Sequence, residues 1–307
     1  MSDYLPASCG AQCHRCPLAP GGPLSRDDWR PVPPQDNGAV ILAVAEMPSD
    51  QETRSGQPLT GRSGVEWGKA LEAVGLSRSQ VDIDHVVACQ PKGPTTRAWK
   101  RMETKLEQIN QGRAERNEPL WAHPEECCRP RLLWSASAYN YILALGKTAT
   151  RALTGQSRSM ENMRGDLMMV DASWQRTMDD SARDRKVAPI MHPSFVGRSP
   201  SWRGSLHSDL GKALRWFNDA LRWSEPLVLH QPSPSQLRAF LSESILPNED
   251  SPVATPPFWV YDLETDGIEV ETTKIRTIGI AIPDLKADGS AALPTDPVAQ
   301  VSRAVVV

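Results

Sequence analysis

Cysteine is scarce in this chain. Six in 307 residues is far below the density of a disulfide-built scaffold. The start, Met1-Ser2-Asp3-Tyr4-Leu5-Pro6, has none of the basic stretch, apolar run and small-residue cleavage site that mark a secretory signal. A cytoplasmic protein with reduced thiols is therefore the expectation. No apolar run approaches the roughly 20 residues that span a bilayer, so no membrane partner is expected. Excess positive charge is lacking too. Lys and Arg total 34 against 37 Asp and Glu, a net charge of -3, so any nucleic-acid contact must come from local basic stretches rather than a global field. The length allows two domains.

What the chain does have is an ordered set of thiols. Cys13-His14-Arg15-Cys16 offers two from one tight turn, and Cys89 and Cys128 add two from distant positions. Four thiolates make the shell of an iron–sulfur cluster or of a structural zinc. Cys9 and Cys127 stand close enough in sequence to replace a neighbouring ligand. Around these thiols lie two polar segments, Glu46-Met47-Pro48-Ser49-Asp50-Gln51-Glu52 and Met191-His192-Pro193-Ser194.

Alternation of short apolar runs with helical patterns sets the fold class. Residues 39–45 (Ala-Val-Ile-Leu-Ala-Val-Ala) form an uninterrupted apolar run that suits a strand buried on both faces. Residues 81–88, 141–145 and 187–191 read as further strands. Residues 64–74 read as a helix closed by Gly75, and 207–223 as a last helix whose Leu210, Leu214, Phe217 and Leu221 form a packing stripe. The pattern predicts an α/β sandwich with a mostly parallel sheet. Ligands of such sheets bind beyond the carboxyl ends of the strands, where Glu46, His85 and His192 fall.

These residues resemble the iron–sulfur uracil-DNA glycosylases of family 4, over about residues 9–223. The likeness rests on Cys13-His14-Arg15-Cys16-Pro17-Leu18, on Val86-Val87-Ala88-Cys89, on Cys128-Arg129-Pro130-Arg131-Leu132, on residues 45–61 and on the intact His192-Pro193-Ser194. It implies a three-layer α/β/α fold, a 4Fe-4S cluster on Cys13, Cys16, Cys89 and Cys128, and a monomer acting on single- or double-stranded DNA. Glu46, Glu52 and His192 are implied to be catalytic, and Met47, Leu59, His85, Pro193 and Ser194 to line the base pocket. Arg164, Arg198 and Arg203 are implied to contact DNA, with Gly197 in an intercalation loop. The chain departs from the family at His85, which replaces an Asn that reads the base edge, and at Leu59, which replaces a stacking Phe. Ala45 and Ser49 replace loop glycines. An altered pocket leaves a second reading open, that of a catalytically weak DNA-binding module. Glu46 and Glu52 also admit the plainer reading of loop acids, and Arg97 to Lys105 that of a solvated helix face lengthening the Cys89–Cys128 interval.

Beyond Trp223 the character changes. Prolines punctuate a polar region with strand-like residues 227–229 and a helical pattern over 235–245. Residues 258–267 then carry Asp262 and Glu264 at alternate strand positions, which share a face. With residues 275–282 this is similar to the opening motif of DnaQ-type 3′–5′ exonucleases of family A DNA polymerases, a ribonuclease H-like fold in which such an acid pair holds divalent metal. The resemblance implies domains at 1–223 and 224–307, the second an incomplete exonuclease fragment, and a phage-type fusion acting with replication machinery in a bacterial or phage-infected cytoplasm.

Overall fold

A computed structural model describes residues 4–93, 98–171, 185–219, 227–230, 233, 235–236, 260–265, 275–283 and 301–306. It divides into two compact units, Met1–Asp219 and Ala220–Val307.

In the first unit, β1 (Ile41–Ala45), β2 (Val81–His85), β3 (Tyr141–Leu145), β4 (Met168–Met169) and β5 (Lys186–Ile190) form one sheet in the order β2-β1-β3-β5-β4. The pairs β1/β2, β1/β3 and β3/β5 are parallel, and the short β4 edge runs antiparallel to β5. Every residue of β1 is buried, which explains its unbroken apolar run: its two faces serve two cores. Leu42 and Val44 point into a cluster with Trp99, Met102, Leu132 and Leu153. These come from α3 (Ala98–Glu115), α4 (Pro124–Ala136) and α5 (Lys147–Thr154). Ile41, Ala43 and Ala45 point the other way, into a cluster with Trp67, Leu71, Leu206, Leu210 and Phe217, supplied by α2 (Gly61–Ala73) and a later helix over Arg203–Phe217. The result is a three-layer α/β/α arrangement, as the alternating pattern predicts.

Several boundaries differ from expectation. Strand β2 stops at His85 rather than residue 88, yet the Val86 and Val87 amides still donate to the carbonyls of Ala45 and Glu46. The helix expected at 207–223 begins at Arg203 and ends at Phe217. Its core stripe is real, with Leu210 and Phe217 buried, and residues 220–223 lie outside the described residues. Helix α2 starts three residues early, and Gly75 follows it at a φ of +77°, where its amide caps the Glu72 carbonyl.

In the second unit, β6 (Leu227–His230), β7 (Val260–Thr265), β8 (Ile275–Pro283) and β9 (Val301–Val306) form a sheet ordered β6-β9-β8-β7. Strands β7/β8 and β8/β9 are antiparallel, and β6/β9 are parallel. Asp262 and Glu264 lie on β7 opposite Gly279 and Thr277. Most of the helix expected at 235–245 lies outside the described residues.

Candidate active site and cysteine centre

Three strand ends assemble the polar site. Glu46 follows β1, His85 closes β2, and His192 stands two residues past β5. Ser49 begins α1 (Asp50–Ser55): its hydroxyl accepts from the Glu52 amide and donates to Glu52 Oε1 at 2.8 Å. The cap and this second bond from the same hydroxyl turn Glu52 inward. Glu52 Oε2 then accepts from the Leu59 amide at 3.1 Å and lies 2.9 Å from His85 Nε2. Both side chains are almost wholly buried, at 5% and 1% exposure. Burial opposes the Glu52 charge, but the bonds from His85, Ser49 and Leu59 outweigh it and hold the carboxyl below its usual range.

His192 caps α6 (Pro193–Val196). Its Nδ1 accepts from the Ser194 amide at 3.1 Å and lies 2.8 Å from the Ser194 hydroxyl. Because a backbone N–H needs an acceptor, Nδ1 is unprotonated and the ring proton resides on Nε2. Burial pushes the imidazole pKa down to about 4, against a smaller opposing pull from Glu52. The ring is therefore neutral at pH 7 and still a donor. Gly146, at a φ of +87°, brings the β3–α5 turn against this ring: an added Cβ would lie 3.2 Å from His192 Cβ. Only glycine suits both the backbone and the space.

Glu46 sits apart from this group. Thr148, in the first turn of α5, donates to its Oε2 at 2.6 Å. Burial raises the carboxyl above its usual range, although the Thr148 bond and nearby Arg151 pull it down. Thr148→Val should therefore raise the Glu46 pKa further and move the acidic limb of any Glu46-dependent pH–rate profile to higher pH. A limb that stays put would show that Glu46 is not the titrating group.

The remaining pocket residues separate by environment. Met47 is partly buried against the first core cluster, and Pro193 is buried at the start of α6. Leu59 is 1% exposed, inside the cluster around Trp67, at a φ of +45°. Its side chain is core rather than a face offered to a base, so a phenylalanine there meets filled space and a strained backbone. Two of the three arginines are already engaged. Arg203 makes a two-point pair with Glu66 at 2.8 and 2.9 Å, and Arg164 binds both Asp209 oxygens at 2.7 Å with its guanidinium over Trp202. Arg198 is exposed and close enough to His192 to lower its pKa. Gly197, beside it, is exposed as well.

The cysteines gather in and against the cluster around Trp99 and Leu132. Cys16, Cys89, Cys127 and Cys128 are buried, Cys13 partly so, and all six thiols are free. Burial pushes the Cys13, Cys89 and Cys128 thiols up; neighbouring thiols add to it at each, Cys127 among them, while Arg131 opposes it at Cys128. Cys16 is raised first by a hydrogen bond with Cys127 and then by burial; the same bond lowers Cys127. Cys127 thus joins the group, although its neighbour carries the sequence motif. Among the described residues no three His, Cys, Asp or Glu side chains stand close enough around one point to hold a single ion.

Sequence reasoning missed Thr148 and the buried pair Arg131–Asp84, which lies between the two centres. Ser49 carried a readable signal, the Ser-x-x-Glu of a capping box. Glu46 past β1, a half-buried His192 whose Nδ1 accepts from the Ser194 amide, and an exposed Arg198 nearby thus gather at the carboxyl ends of the strands of a doubly covered, mostly parallel sheet, where α/β proteins place their ligand sites. Residues 34–239 match the family described as the Uracil DNA glycosylase superfamily, and the chain belongs to it. Among curated proteins it is similar to a type-4 uracil-DNA glycosylase of Thermotoga maritima, 28% identical over 178 residues, covering 56% of this chain and 75% of that one. It is similar also to a type-4 uracil-DNA glycosylase of Pyrobaculum aerophilum, 26% identical over 172 residues, 55% of this chain and 74% of the relative. The family match stops at residue 239, so the likeness around Asp262 and Glu264 rests on those residues alone.

Proposed function

We propose that the chain is a uracil-DNA glycosylase, hydrolysing the N-glycosidic bond of uracil, or of a modified uracil, flipped out of DNA. The observation that carries this reading is His192. Breaking the bond leaves negative charge on the base and positive charge on the sugar. A neutral imidazole whose Nε2–H is fixed by Ser194 can donate to the base oxygen that gains charge, without a proton having to move. Glu46, anchored through one oxygen by Thr148, offers the other to the attacking water or the cationic sugar. Glu52 acts through His85 and Leu59, holding the pocket wall. Arg198 is positioned by its exposure to meet a phosphate; Arg164 and Arg203 shape the loop that carries it. The test is incubation with uracil-containing single-stranded and duplex oligonucleotides followed by alkaline cleavage of abasic sites. Tight binding without cleavage would favour the DNA-binding module, the reading to which His85 and Leu59 lend weight.

A 4Fe-4S cluster on Cys13, Cys16, Cys89 and Cys128 belongs to the same proposal. Buried thiols that disfavour each other's charge suit a cationic centre. Such a cluster supplies structure, tying the N-terminal turn to α4. Cys128→Ser should abolish the brown colour and bound iron, whereas Cys127→Ser should leave both; equal loss would move the ligand to Cys127, and stoichiometric zinc would remove the cluster from the account.

For the second unit the reading is a DnaQ-type exonuclease-like motif of the kind found in family A DNA polymerases, supported by Asp262 and Glu264 at alternate positions of β7. Manganese titration followed by electron paramagnetic resonance tests it, since Asp262→Ala should lose any bound ion.

A further inference from the structure

Trp29 and Arg131 each hold a buried N–H without a hydrogen-bond partner among the described residues, Nε1 of the indole and Nε of the guanidinium. Both stand beside the cysteines. The segment carrying Trp29 is laced to the turn carrying Cys89, for the Val32 amide donates to the Ala88 carbonyl and the Lys92 amide to the Leu24 carbonyl, each at 2.9 Å. The Trp29 ring packs against the core cluster that holds Cys16, Cys89, Cys127 and Cys128. Arg131, wholly buried, follows Cys128 by three residues on α4, which puts the two on one helix face. Its other nitrogens are taken. Nη1 donates to both oxygens of Asp84, at 2.8 and 3.0 Å, and Nη2 to the His85 carbonyl, so the guanidinium is fixed and Nε is left over.

A buried donor left unmade carries the full cost of its desolvation. A neutral thiol relieves little of that cost, being a weak acceptor, whereas a thiolate is a strong one. Burial is the largest influence on Cys13, Cys89 and Cys128, and the Cys127 bond the largest on Cys16. Against these, each of the four sulfurs has an N–H beside it that favours its charged form. Cys89 has that of Trp29, and Cys128 those of the Ala88 amide and Arg131. Cys13 has the Ala7 amide and Cys16 the Leu18 amide. The surroundings of these four thiols are therefore built to receive thiolates.

We infer that Trp29 Nε1 and Arg131 Nε are hydrogen-bond donors to the metal-bound sulfurs of Cys89 and Cys128, and that the two together raise the reduction potential of the centre. This deepens the cluster reading of the four cysteines and rests on it. An N–H on a ligating sulfur draws charge from it and stabilises the reduced, more negative state more than the oxidised one. Arg131 has a second reach. Through Asp84 and the His85 carbonyl it also grips the end of β2, so one fixed side chain touches both the thiol centre and the polar site.

The test uses the full chain as purified with its iron, in a redox titration followed by visible absorbance and electron paramagnetic resonance. Trp29→Phe removes one donor and keeps an aromatic ring. Removing Arg131 alone leaves Asp84 buried and unpaired, so the second variant is Arg131→Met with Asp84→Asn, which removes both charges of the pair. Trp67→Phe is the control, since its indole N–H is also buried and unpartnered but lies in the other core cluster. At a fixed potential the reduced-to-oxidised ratio should fall about tenfold for each of the two donor variants and stay at the parent value in the control. Resonance Raman spectra of the oxidised protein give a second readout: the iron–thiolate stretches should shift on transfer to heavy water in the parent, and less in each donor variant. Unchanged potentials and unchanged heavy-water shifts in both donor variants, or equal changes in the control, would overturn the inference. Loss of all iron from both donor variants would also overturn it, making the two residues supports of the fold rather than donors. A parent that holds zinc and no iron removes the cluster reading itself, and that failure shows before any substitution is made.

Discussion

Replacing His192 with alanine should slow uracil excision by roughly 10²–10³-fold, the scale of removing one preorganised donor from a developing anion. The loss should fall on kcat rather than on DNA affinity, because the base carries little charge before the bond breaks. His192→Asn, which can still donate, should recover part of the rate. The pH dependence sharpens the test. With its pKa pushed down to about 4, His192 stays neutral as the pH falls well below 6.5, so the profile should show no loss of activity near the ordinary histidine pKa. Stability has a definite sign as well. The unfolded chain protonates this histidine from about pH 6.5 downward while the folded chain resists until about 4, so its contribution favours unfolding progressively across that window as pH falls. An alanine variant with unchanged turnover would dismiss His192 as the electrophile.

How much of this was open to reading from the chain differs between elements for physical reasons. The strand over 41–45 was legible because a parallel strand covered on both faces must be apolar at every position, and all five residues are buried. His192-Pro193-Ser194 was legible because its capping geometry is local: the bond from the Ser194 amide to Nδ1 spans two residues. Leu59 was not. Its replacement of an aromatic suggested a lost stacking face, but where a side chain at a positive φ points is settled by the loop, here pinned through the Leu59 amide to Glu52 and the Leu59 carbonyl to Arg78. The partners of the arginines were hidden for a related reason. Charge is visible in a sequence and its partner is not, and Arg203 finds Glu66 137 positions away. Thr148 meets Glu46 across 102 residues for the same reason.

Arg131→Met alone should destabilise the first unit by about 3–5 kcal/mol, the cost of stripping one partner from a buried pair. Asp84 would keep its charge or take up a proton inside the protein, and the His85 carbonyl would lose its donor. Chemical denaturation monitored by tryptophan fluorescence measures it. The second substitution, Asp84→Asn, should return most of that stability, since removing both charges removes both desolvation penalties. A double variant as unstable as Arg131→Met alone would show that the pair acts through its packing rather than through its charges.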